Sequence, residues 1–104
     1  MPQFAYRLHP VRPAMLADSP TPDEERIVGE HFAYLQDLTG RGVVRMAGRT
    51  LTTGPETFGI CVLEAEDEAA ALAVVQNDPA VKHGVMTAEL YPFRIALWGE
   101  APAD

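Results

Sequence analysis

Two stretches of this chain repeat their apolar residues every three or four positions, and four others alternate or run apolar at strand length. In order they read strand, helix, strand, strand, helix, strand, a sequence that few folds accept. The first strand spans Phe4 to His9, with Phe4, Tyr6 and Leu8 on one side and Ala5, Arg7 and His9 on the other. It stops at Pro10. The stretch from Pro10 to Pro22 holds four prolines and reads as a loop. Its thirteen residues are long for a connection in a small domain, so a stiff cover over a pocket is expected there.

Thr21-Pro22-Asp23-Glu24 is a capping box with proline at the first helical position. Ile27, His31, Leu35 and Leu38 then recur at helical spacing beside Val28 and Phe32. This helix is expected to end near Thr39, with Gly40 or Gly42 as a left-handed cap. Val43 to Thr50 forms a short second strand, and Thr52 to Pro55 a turn. Thr57 to Ala65 is apolar on both faces and therefore central. Asp67 caps a helix from Glu68 to about Gln76, which Asn77-Asp78-Pro79 breaks. Met86 to Trp98 is the last strand, and its Pro92 points to an edge position or a bulge. Residues 99–104 are read as a flexible tail.

The order β-α-β-β-α-β predicts one ferredoxin-like α+β domain over residues 1–104, with a four-stranded antiparallel sheet and both helices on one face. The second sheet face is bare yet apolar, which predicts a homodimer packed sheet against sheet.

Charge removes several function classes. Eight basic against fifteen acidic residues leave a net charge of −7, the wrong sign for nucleic acid or an anionic membrane surface. No apolar run approaches the roughly 20 residues that span a bilayer. The N-terminal residues lack the basic start and apolar core of a secretory signal. Cys61 is alone, so an intrachain disulfide or a four-cysteine zinc site is impossible. A reducing, cytoplasmic setting is expected.

Two residues stand out for chemistry. His31 shares the apolar stripe of the first helix, where it is either a satisfied core histidine or an acid–base group reached by a cavity. Asp78 sits at the C-terminal end of the second helix, the wrong end for a carboxylate, unless it caps a short turn through Lys82. The layout lays the two helices side by side, and pairing would offset both costs, so His31 and Asp78 are expected within hydrogen-bond reach.

Other candidates are weaker. His9, His31 and His83 lack metal-ligand spacing, and no glycine-rich phosphate loop occurs, so neither metal nor cofactor is expected. Cys61 reads as a buried inert thiol, and Ser19 lacks a nucleophile's context. Arg45 and Arg49 lie two side-chain periods apart, hence on one strand face, where they bind an anionic ligand or simply solubilise the surface. Arg12, on the proline-rich loop, has the same two readings.

These residues resemble a known family. Glu24-Glu25, Glu30-His31-Phe32-Ala33-Tyr34-Leu35, Gly42, Ala47-Gly48, Glu64-Ala65, Glu68-Ala69-Ala70, Asp78-Pro79-Ala80-Val81, Gly84-Val85 and Tyr91-Pro92-Phe93 resemble the YCII-related, or YciI-like, domain in order and spacing. Arg49 departs from it, standing where many relatives have proline. The resemblance implies a dimeric α/β barrel and matches His31 and Asp78 to the family's proposed catalytic pair. One branch of the family is associated with dehydrochlorination of a hydroxylated aromatic, and the same barrel hosts muconolactone isomerases and small monooxygenases. The resulting expectation is a small cofactor-independent enzyme that moves protons as an isomerase or lyase, with a non-catalytic dimeric ligand-binding module as the competing class.

Overall fold

The computed structural model describes residues 1–101; the rest of the expected 99–104 tail lies outside the described residues. Four strands, β1 (Gln3–Pro10), β2 (Val44–Arg49), β3 (Gly59–Glu64) and β4 (Met86–Phe93), form one antiparallel sheet in the order β2-β3-β1-β4. Helices α1 (Pro22–Gly40), α2 (Glu68–Asn77) and the short α3 (Pro79–Lys82) cover one face of it. The expected ferredoxin-like α+β arrangement is present, with β3 and β1 central and the proline-bearing β4 at an edge.

Local chemistry places the helix ends. The Thr21 hydroxyl accepts from the Glu24 amide at 3.1 Å while the Glu24 carboxylate accepts from the Thr21 amide at 2.8 Å. A cap of this kind stabilises a helix by about 1 kcal/mol. Helix α1 is closed off by Gly42, two residues past its last, whose φ of +77° would cost a residue with a side chain roughly 1–2 kcal/mol. Around it the Val43 amide donates to the Leu38 carbonyl at 2.9 Å and the Gly42 amide to the Thr39 carbonyl at 3.1 Å, the paired bonds of a Schellman turn. The same pair of bonds closes α3 at Gly84, directing the chain into β4.

Three expectations need correction. The loop of residues 10–22 is not irregular throughout: β1 runs through Pro10, and Pro13–Leu16 make a 3-10 turn whose Met15 is buried. The last strand ends at Phe93, not Trp98. Its ladder partner β1 begins at Gln3, opposite Phe93, so only Met1 and Pro2 remain, too few to pair with residues 94–98. Beyond that point the Ile95 amide donates to the Gln3 side chain at 2.7 Å instead. Finally, Arg45 and Arg49 do not share a face. A bulge between Val44 and Met46 breaks the alternation. Arg45 then reaches Glu64 on the open face at 3.2 Å, while Arg49, opposite Gly59, rises toward the helices.

The core lies between helices and sheet, built on Phe4, Tyr6, Leu8, Cys61, Leu63, Leu38, Val75 and Ala80. On the opposite face Met46, Tyr91 and Phe93 are exposed, and Arg7 stacks over the Phe58 ring at 4.7 Å. Among the described residues no helix is long and apolar enough to cross a membrane.

Candidate active site

His31 projects from the middle of α1, Asp78 sits at the junction of α2 and α3, and Tyr6 rises from the middle of β1. The three converge. The His31 Nδ1 lies 2.6 Å from Asp78 Oδ1, the Tyr6 hydroxyl donates to Asp78 Oδ2 at 2.9 Å, and the Ala80 amide donates to Oδ1 at 3.0 Å. Asp78 is fully buried, a position that is costly for a carboxylate unless hydrogen bonds replace its water. Three donors do so here. Both sequence readings of Asp78 hold at once, because the oxygen that meets His31 also caps α3.

This network assigns the imidazole tautomer. Burial pushes the Tyr6 hydroxyl far above the ordinary tyrosine range, and Cys61 and Asp78 add to the effect, so Tyr6 keeps its proton and donates it. With Tyr6 and Ala80 both donating to Asp78, the carboxylate acts as acceptor, and the His31 Nδ1 carries the proton. Its Nε2 has no hydrogen-bond partner among the described residues and is not sealed from solvent. Burial pushes the Cys61 thiol up to about 12, which removes it as a nucleophile.

A cavity of about 730 Å³ opens between α1 and the β2–β3 end of the sheet, with His31 on its wall. Leu8, Val28, Phe32, Leu35 and Met86 make that wall apolar. Pro10 and Leu16 bring the proline-rich segment to its edge, where the sequence located a cover. Gly59 is the floor: a Cβ there would stand 3.7 Å from the Leu8 Cβ and 3.9 Å from the Arg49 Cβ. Thr57 also lines the cavity, holding its hydroxyl 2.9 Å from that of Thr52, which meets Thr50 at 2.8 Å.

The three arginines separate. Arg49 lines the cavity. Arg12 turns instead to Glu24, 3.0 Å from its Nε, and to the Ser19 carbonyl; the guanidinium holds the Glu24 carboxyl down at about 2. Arg45 is taken up by Glu64 on the other face. Among the described residues no three His, Cys, Asp or Glu side chains gather as metal ligands would. Sequence reading missed Tyr6, which counts as an ordinary apolar strand residue until its hydroxyl needs a partner. It also missed Thr57 and Gly59, whose positions depend on how β3 crosses beneath α1.

A ferredoxin-like domain with a histidine–carboxylate pair bordering an apolar cavity defines a class of small α+β domains with a ligand-sized pocket. Within that class the chain belongs to the YCII-related domain family, whose model matches residues 5–94. Among twelve solved chains that match is 5-chloro-2-hydroxyhydroquinone dehydrochlorinase from Burkholderia phenoliruptrix AC1100, in complex with 2,5-dihydroxybenzoquinone. It superposes with a TM-score of 0.67 at 20% identity, covering 88% of this chain and 93% of that one. At that identity the likeness is one of fold. A search of curated proteins finds no match.

Proposed function

We propose that this protein is a small-molecule enzyme that works by proton transfer, as an isomerase or lyase, with His31 as the acid–base group and Asp78 as its orienting carboxylate. The observation that carries this reading is the division of the imidazole: Nδ1 is held by a buried carboxylate, while Nε2 is left unpaired on a ring that borders an apolar cavity. A fixed Nδ1 proton leaves Nε2 with a lone pair to take a proton from substrate, and the resulting imidazolium faces Asp78 and can return it. Imidazole alone supplies both halves of such a reaction. The solved dehydrochlorinase of the same fold supports the choice of a small organic substrate. A sealed, fully satisfied pair would favour the binding module, whereas this ring borders the cavity with Nε2 unpaired, which supports the enzyme.

The test is a panel of small enols, lactones and hydroxylated aromatics incubated with the protein in D2O. Product formation or deuterium uptake at carbon is the expected result. A panel that passes through unchanged overturns the reading.

The second sheet face supports a homodimer, because Met46, Tyr91 and Phe93 expose apolar surface there. Packing two such faces together would build the dimeric α/β barrel, in the reducing cytoplasm that a lone cysteine suits. Light scattering is expected to give twice the 11.3 kDa of one chain at micromolar concentration. A monomer mass would refute it.

A further inference from the structure

The walls of the cavity contain no aspartate or glutamate, although the chain has fifteen acidic residues and a net charge of −7. Their one permanently charged residue is Arg49. Its pairing also differs from that of its neighbours. Among the described residues Arg12, Arg26, Arg41 and Arg45 each meet a carboxylate, while Arg7, Arg49 and Arg94 meet none; of these three only Arg49 lines the cavity, and its guanidinium hydrogen-bonds only the Thr50 carbonyl, 3.3 Å from its Nη1. Most of its donors are left for something else. The bulge in β2 puts this side chain on the helix-facing side, and Gly59 beside it keeps the floor open.

We infer that Arg49 is an anion-binding subsite and that the cavity takes a small apolar organic acid, its carboxylate on Arg49 and its reacting atom toward His31. This inference rests on the catalytic reading of His31 for the second half of that pose. The division of labour follows from the materials of the site. The aliphatic and aromatic wall takes the body of the ligand by burial, without polar competition. A planar guanidinium with free donors matches a carboxylate through two parallel hydrogen bonds. With no acidic residue on the wall, nothing in the cavity competes for that guanidinium. Arg49 is exposed at the rim, so water and salt weaken the attraction, and a gain of about tenfold in affinity is expected rather than the hundredfold of a buried pair.

Benzoate and its neutral counterpart benzamide separate the charge from the ring. Both are titrated into the isotope-labelled full-length protein, and the amide resonance of Gly59 and the ring resonances of His31 are followed. Wild type is expected to bind benzoate about tenfold more tightly than benzamide, with both shifting His31 and Gly59. Arg49→Gln should erase the preference and leave benzamide binding unchanged, and added salt should weaken benzoate alone. Gly59→Val, which grows a side chain from the cavity floor, should abolish binding of both. If Arg49→Gln keeps the preference, or wild type shows none while His31 still shifts, the anion subsite is wrong and the catalytic cavity stands. If neither compound moves His31, both readings fall.

Discussion

His31→Ala is expected to reduce turnover by about 10²–10⁴-fold on any substrate the protein transforms, the usual contribution of a positioned acid–base group. The loss should fall on kcat, since the imidazole is one element in a largely apolar wall and contributes little to holding the ligand. The folded state should barely notice. Asp78 keeps the Tyr6 hydroxyl and the Ala80 amide as donors, and water entering from the cavity can replace the imidazole. Steady-state kinetics beside a melting curve makes the check. A variant that retains wild-type kcat removes His31 from the mechanism, and one that fails to fold makes the pair a structural device.

Asp78→Ala should do the opposite and lower stability by about 3–5 kcal/mol, the range for breaking a buried charged pair. The carboxylate is completely enclosed and holds three donors from three different elements: β1, α1 and the start of α3. Deleting it strands the Tyr6 hydroxyl and the Ala80 amide away from solvent and uncaps α3. Asp78→Asn should be far milder. The amide oxygen can stay between His31 and Ala80, and the amide nitrogen can face Tyr6, whose hydroxyl oxygen turns from donor to acceptor. Urea denaturation midpoints of the two variants should differ widely. Equal midpoints would mean that the network contributes nothing to the fold.

How much of this was legible in the chain depends on how local the cause is. The starts of α1 and α2 are written in Thr21 and Asp67, because a cap involves only residues three apart. Strand β4 was read five residues too long because its end is set by where β1 begins, ninety positions away. The shared face assigned to Arg45 and Arg49 failed on a single bulge, which shifts every later side chain by one position and leaves no trace in apolar spacing. His31 and Asp78 were visible because each breaks a local rule, a polar ring on an apolar stripe and an acid at the negative end of a helix. Tyr6 breaks none, since an aromatic residue on a strand is ordinary, and only the enclosed carboxylate gives its hydroxyl a purpose.

The double duty of Asp78 has a bearing on descent. A lineage in which the chemistry fell out of use would still be held to aspartate at this position, because losing it uncaps α3 and unseats Tyr6. Nothing comparable is expected to hold His31, which borders the cavity. Among descendants of an ancestor with this pair, drift at the histidine beside a retained aspartate would therefore mark the branches that kept the scaffold without the proposed proton transfer.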